Sequence, residues 1–267
     1  MDIAEYLNII QQLAGGMLAT LVIFVLTLIF SMPLGLLVSF ARMSKWAPFA
    51  FLLPENKFGG KDVQATRGKV NLLQFLAKAY ASALGSTRKW VGNFKPLQFL
   101  AKIYISVLRG TPLMLQLLVV YFAPYYIFGI TLNKSYRFMA VLIGFSVNYA
   151  AYFAEIYRSG IESIPVGQYE AASVLGYNKQ QTFFKIVFPQ MVKRILPPVT
   201  NEIITLVKDT AMAFVLNYTE MFTLAKQIAA AKTTIMPLFI AGVFYFVFNG
   251  LVAYVMERVE RSLSYYR

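Results

Sequence analysis

The sequence predicts an all-α, polytopic membrane protein of five transmembrane helices, N-terminus outside and C-terminus in the cytoplasm. Three observations carry this. Hydrophobic residues make up 58% of the 267-residue chain and charged residues 14%, against about 45–50% and about 25% in soluble domains, so polar groups cannot cover the surface. The apolar residues gather into five long runs. The 25 Lys and Arg fall mostly between alternate runs. There is no Cys or His, which removes disulfides, thiol chemistry, His-based triads and Cys/His zinc sites. No cofactor or metal is expected.

A bilayer core needs about 20 apolar residues in helix. Met17–Ala41 supplies 25 residues without a charge. It is longer than the roughly 7–15-residue core of a secretory signal, and Asp2 and Glu5 stand where a signal carries cations, so it is expected to stay as an anchor. Gly110–Thr131 gives 22 residues, with Gln116 the one strongly polar side chain. Phe138–Ala154 gives 17 and holds Asn148. Ile195–Tyr218 is long enough but carries Glu202, Lys208 and Asp209. Thr233–Met256 gives 24, with Asn249 alone among them. If the five runs alternate, 20 of the 25 cations share one side, 12 of them in residues 42–109 against only Glu55 and Asp62. The positive-inside rule makes that side cytoplasmic. A net charge of +13 distributed this way is not the basic stripe of a nucleic-acid-binding fold, and no nucleic-acid partner is expected.

The chain is expected to form a single transmembrane domain over 1–267, interrupted by a basic cytoplasmic insert at about 43–108 and a cytoplasmic hairpin at about 158–194. The insert holds a near-duplication: Leu73-Gln-Phe-Leu-Ala-Lys78 recurs as Leu97-Gln-Phe-Leu-Ala-Lys102. Both copies place apolar residues at helical spacing beside cations, which suits helices lying on the lipid of the inner leaflet. A tandem duplication merely tolerated in a loop would look the same. The G-x-x-x-x-G-K-[ST] phosphate loop is missing throughout, so this chain does not hold ATP by that route.

The hairpin has its own punctuation. Pro165 can open a helix, which continues through Tyr169–Leu175 to Gly176, where a left-handed residue belongs. Asn178 with Gln181 three residues on reads as a capping box, starting a second short helix through Phe183–Phe188 that meets Pro189. Two short helices around a glycine corner make a rigid cytoplasmic knob, able to pass motion from a soluble partner to the spans on either side.

Here the residues carry a resemblance. Glu170-Ala171-Ala172, Gly176 and Ile186-Val187-Phe188-Pro189 resemble the EAA loop of ABC importer permeases, E-A-A-x3-G-x9-I-x-L-P, with Phe188 in place of the usual leucine. Arg109-Gly-Thr-Pro-Leu-Met-Leu-Gln116 resembles the segment opening the second span of polar amino-acid permeases, and Leu196–Thr210 resembles their fourth span. The three stretches are collinear and cover nearly all the chain except about 45–110. The resemblance implies the type I, MetI-like importer fold. It also implies two cytoplasmic ABC ATPase subunits, a second permease subunit (the same or a sister chain), an extracytoplasmic solute-binding protein and an amino-acid substrate. Carried over, Glu170, Ala171, Ala172, Gly176, Ile186 and Pro189 would couple to the ATPase.

A charge at bilayer depth costs about 2.5–3.5 kcal/mol, so Glu202, Lys208 and Asp209 must face protein, water or each other. Glu202 and Asp209, seven apart, share a helix face, whereas Lys208 lies round from Asp209, and a partner helix is implied. With Arg109, Thr111, Gln116 and Asn148 they form a candidate substrate pathway or gate. The bland alternative is packing: amides bond across helices, and Arg109 snorkels. A secondary transporter or channel acting without an ATPase would show repeat halves or ion-relay charges in several spans. An intramembrane enzyme would need catalytic groups at matched depth. Neither pattern is present, and transport rather than catalysis is expected of this chain.

Overall fold

The computed structural model describes residues 3–44 and 95–263, and every element among them is helical. They are α1 (Ile3–Met43), α2 (Pro96–Gly110), α3 (Leu113–Phe128), α4 (Lys134–Glu162), α5 (Val166–Val174), α6 (Lys179–Thr182), α7 (Phe188–Asp209), α8 (Met221–Lys232) and α9 (Met236–Ser262). A π-helical turn, Phe183–Val187, joins α6 to α7, and a 3₁₀ segment, Thr210–Leu216, prolongs α7. The chain divides into two compact units, Met1–Phe40 with Ile103–Arg267, and Ala41–Lys102. Of the smaller unit, the described parts are the last residues of α1 and the first half of α2. The first sequence copy, Leu73–Leu84, and the glycine turns of the insert lie outside the described residues.

Helices in lipid gain nothing from hiding hydrocarbon, so they associate through small residues and hydrogen bonds. α1 follows this rule. Its buried face carries Gly16, Thr20, Thr27, Ser31, Gly35 and Ser39, whereas Leu18, Ile29, Phe30 and Leu37 point outward. A Cβ on Gly35 would lie 2.8 Å from Phe153 Cβ and 3.0 Å from the Ala150 carbonyl oxygen, so any side chain there would push α1 off α4. At 41 residues and about 1.5 Å per residue, α1 is twice as long as a bilayer core is thick. Its first turns reach past the core: Ile9 and Leu13 pack with Met221, Ala225 and Ala241 of α8 and α9, and Glu5 pairs with Lys232 at 3.2 Å.

The main core joins α1, α3, α4 and α7 through Ile23, Leu117, Phe145, Phe153, Ile195 and Leu206, with Phe248 of α9 edge-on to Phe24 at 5.5 Å. Among the described residues, three helices are long and apolar enough to be spans, α1, α4 and α9, and a fourth if α2 and α3 count as one. They do not run on as one rod: α2 and α3 meet at 113°. The apolar run expected from Gly110 therefore becomes a separate helix only from Leu113, because Pro112 offers no N–H and keeps its predecessor out of the helical region. α7 fails the composition test because of its charges, yet it runs the length of α4. Arg194 near its start donates to the Ser163 carbonyl at one end of α4, and past its 3₁₀ extension the Asn217 carbonyl accepts from Arg137 at the other.

Between the 3₁₀ segment and α8 stands a carboxylate that the sequence reading did not single out. Glu220 is fully buried and caps α8, accepting from the N–H groups of Phe222 and Thr223 at 2.7 Å and from Thr223 Oγ1 at 2.8 Å. Tyr245 of α9 donates to it at 3.2 Å and Thr20 of α1 at 3.5 Å. Burial drives this carboxyl above its usual range, and the hydrogen bonds to it push back. One side chain thus ties α1, α8 and α9. Glu220→Ala leaves those donors without a partner in a dry site, and thermal unfolding of the purified protein is expected to show a loss of about 2–4 kcal/mol. Thr219→Ala, next to it and exposed, serves as the control. Equal stability of the two variants would remove Glu220 from this role.

Candidate functional site

The hairpin between α4 and α7 is built from local chemistry. α5 ends where Gly176 adopts φ +75°. There the Gly176 N–H reaches the Ser173 carbonyl and the Tyr177 N–H the Ala172 carbonyl, both at 3.0 Å, the paired bonds that close a helix on a left-handed residue. Two residues on, the capping box is complete: the Gln181 N–H donates to Asn178 Oδ1 at 2.9 Å, and the Asn178 N–H to Gln181 Oε1 at 3.0 Å. Pro165 stands at the N-cap of α5, one position before the first turn in which the sequence put it.

The second arm is not the short helix expected to stop at Pro189. The π turn Phe183–Val187 hands the chain directly to α7, which carries Pro189 in its first turn and continues to Asp209. Because the preceding turn is itself helical, Pro189 lacks one bond to it that another residue would have made. The two arms are latched by Gln190 Nε2 donating to Gln168 Oε1 at 3.2 Å, and Phe183 packs edge-on to Phe40 of α1 at 6.1 Å. With Arg194 bonded to Ser163, the knob is braced against both flanking helices.

Of the six residues expected to couple, Glu170 and Ala171 are exposed, Ala172 is buried beneath them and Gly176 makes the corner. Ile186 is half-buried in the π turn, and Pro189 is exposed at the start of α7. Around Glu170 the knob presents bare apolar side chains: Val174 is 88% exposed, Leu175 70%, Val166 70% and Phe184 66%. Large residues held this open on a stiff support mark an interaction surface.

Six of the seven residues expected to form a pathway fall into two groups. Thr111, Gln116 and Asn148 close the break between α2 and α3. Gln116 Nε2 donates to the Leu108 carbonyl at 2.8 Å and the Thr111 carbonyl at 3.0 Å, while Asn148 Nδ2 donates to Gln116 Oε1 at 2.8 Å and the Leu108 carbonyl at 3.3 Å. These bonds satisfy carbonyls that the end of α2 would otherwise leave open. Arg109, Glu202 and Asp209 form the second group, with two tyrosines of α4 that the sequence reading missed. Arg109 lies over the Tyr152 ring at 5.2 Å, Tyr149 donates to Asp209 at 2.7 Å, and the two rings are 6.1 Å apart. Glu202 lies within electrostatic reach of Arg109 and Asp209. Lys208 is exposed on the same side of α7 as Asn201 and Thr205 and lies within electrostatic reach of Asp209. A tyrosine inside an apolar run gives no periodic signal, so only the crossing of α4 and α7 reveals Tyr149.

Comparison with known proteins follows the same lines. Residues 81–265 match the family described as "Binding-protein-dependent transport system inner membrane component". The L-cystine transport system permease protein TcyB of Bacillus subtilis (strain 168) is 30% identical over 266 residues, 97% of this chain and 92% of that one. The arginine transport system permease protein ArtQ of the same organism is 38% identical over 175 residues, 65% of this chain and 78% of that one. A crystal structure of an amino acid ABC transporter with histidines superposes with a TM-score of 0.73 at 25% identity, covering 98% and 99% of the two chains. An inward-facing MetNI methionine ABC transporter shares the fold, with a TM-score of 0.62 at 16% identity and coverage of 99% and 100%.

The corner makes a sharp prediction. No atom lies within 4 Å of a Cβ added at Gly176, so the backbone angle alone resists substitution. Gly176→Val should cost about 1–3 kcal/mol of local order, seen as faster hydrogen exchange across residues 166–182 with the spans unchanged. Gly176→Asn, which tolerates the left-handed region, should stay near the parent. Equal exchange in all three would mean that the corner does not hold the knob.

Proposed function

This chain belongs to the family of binding-protein-dependent transport system inner membrane components, and we propose that it is the permease subunit of an ATP-driven importer for a polar or charged amino acid. The chain is a transport component and not an enzyme. The observation that carries the proposal is the stiff knob with exposed Glu170 on one helix face between the bare side chains of Val166 and Val174. A hairpin capped at its corner and latched between its arms is organised to be pushed.

The partner on that surface is a cytoplasmic ATPase subunit, with the small Ala171 and Ala172 allowing close approach and ATP hydrolysed on the partner. A second permease, the same or a sister chain, completes the pathway. α7 speaks for it: Asn201, Thr205 and Lys208 form an exposed stripe that cannot face acyl chains. An extracytoplasmic binding protein delivers the substrate.

We read five spans in a single domain over 1–267, α1, α3, α4, α7 with its 3₁₀ extension, and α9, interrupted by the insert at about 43–108 and the hairpin at about 158–194. The N-terminus lies outside and the C-terminus in the cytoplasm of a bacterial cell membrane. The contacts at the two ends of α4 support the passage of α7, and the crowding of 20 of 25 cations on one side supports the orientation. Relatives named for L-cystine and arginine support an amino-acid substrate. Arg109 within reach of Glu202, and Lys208 within reach of Asp209, offer both signs of charge, as a zwitterion requires. The latch of Thr111, Gln116 and Asn148 holds the mouth of that pathway in shape.

Transport then proceeds by alternating access. Closure of the two ATPases draws the two knobs together. Because the second arm of each knob continues as α7, the displacement travels along one helix to Glu202 and Asp209. A secondary transporter or channel is not favoured, since it has no use for such a knob.

The test is reconstitution with the ATPase and binding protein encoded beside this chain. Glu170→Lys should leave the spans inserted and the chain folded. It should lower transport at least tenfold and abolish stimulation of ATP hydrolysis by loaded binding protein. Transport at parental speed by the chain alone, or undiminished coupling in Glu170→Lys, would overturn the proposal.

A further inference from the structure

α2 is the second sequence copy, and the permease role does not account for what it exposes. Its positions divide into opposed faces. Ile105, in its C-terminal half, is buried with Ala151, Ala154 and Val38. Nearly opposite, Phe99, Leu100, Ile103 and Val107 stand 50%, 61%, 44% and 53% exposed, at the spacing that keeps them on one side of a helix. Lys102 flanks that apolar strip and is itself exposed, and Lys95 immediately precedes the helix.

The direction of α2 identifies what covers the strip. α2 makes 113° with α3. With α3 crossing the bilayer, α2 lies nearly in the membrane plane, with its apolar strip available to acyl chains and its lysines at headgroup level. In sequence, residues 42–109 hold 12 cations and two anions, a composition that attracts anionic lipid.

We propose that α2 is a lipid-binding helix of the inner leaflet, with anionic phospholipid held by Lys95 and Lys102 and its acyl chains against Leu100, Ile103 and Val107. The inference rests on the cytoplasmic placement of residues 42–109 proposed above. It does not require that the transporter turn over.

A tryptophan reporter tests it. The two native tryptophans, Trp46 and Trp90, are replaced by phenylalanine and Leu100→Trp is introduced. The full-length protein is placed in mixed phosphatidylcholine and phosphatidylglycerol vesicles, with bromine on the acyl chains of one lipid at a time. Trp fluorescence should be quenched, and more strongly when phosphatidylglycerol carries the bromine. Each lysine should contribute about fivefold local enrichment at low ionic strength, about 1 kcal/mol. Lys95→Gln with Lys102→Gln should erase the preference while keeping the quenching, and high salt should do the same. Val107→Trp, on the same strip, repeats the measurement should Leu100→Trp insert poorly. Absence of quenching by either lipid would show the strip covered by protein or standing in water. Equal quenching by both lipids in the lysine-bearing protein would eliminate the anionic site. Either result overturns the inference and leaves the coupling role untouched, because that role is read from ATP hydrolysis.

Discussion

The constraint on which this structure depends is that a bilayer supplies no hydrogen-bond partner, so every polar group at depth must be satisfied from within. It explains features that a water-soluble fold would not need. The break at Thr111 and Pro112 opens the end of α2, and Gln116 and Asn148 reach into it from α3 and α4. Glu220 enters a dry junction only because two backbone N–H groups and three hydroxyls point at it. Asp209 is admitted to α7 with the Tyr149 hydroxyl already on it. Each of these groups has named donors or acceptors, and the bonds Asn148–Gln116, Tyr149–Asp209 and Tyr245–Glu220 tie separate elements together.

The same rule separates what α7 shows to its own chain from what it turns away. Its buried side is apolar, Met191, Ile195, Val199, Ile203, Leu206 and Val207. Its open side carries Asn201, Thr205 and Lys208. A helix with lipid as its final neighbour would have these reversed, as α1 does with Leu18, Ile29 and Leu37 outward. The contrast between the two helices separates the lipid face of the bundle from the face that water or a second subunit must cover.

Legibility in the sequence followed the range of the interactions. The hairpin could be read residue by residue because its signals are local. Gly176 takes the left-handed angle and Asn178 the cap with Gln181 because the bonds involved span three to five residues. The course past Pro189 could not be read so. Proline looks like a stop unless the turn before it is known to be π-helical, and that geometry leaves no mark on residue type. The helix break inside the second apolar run is hidden for a related reason: Gly110 continues the apolar run, but it still belongs to α2, and the chain turns only after it. Glu220 was invisible because its partners Thr20 and Tyr245 lie 200 and 25 positions away. The charges of α7 were noticed, but Tyr149, which receives Asp209, emerges only from the crossing with α4.

The continuity of α7 also changes how force reaches the charged groups. Two short arms ending at Pro189 would form a knob hinged on the membrane side, and much of any push would be absorbed at the hinge. With the second arm running on as α7, about 14 residues and some 20 Å of helix separate Phe188 from Glu202. No loop intervenes, although Pro197 and Pro198 make a soft point along the way. Arg109 is carried differently, on the last turn of α2, where a cation is favoured by the helix dipole. Glu202 and Arg109 therefore lie on separate helices, and on the proposed mechanism one would be driven from the knob while the other stays anchored where α2 meets α3. Under the proposed coupling, a shift of α7 would alter the distance between Glu202 and Arg109, and a gate formed by them would need that change more than any fixed position.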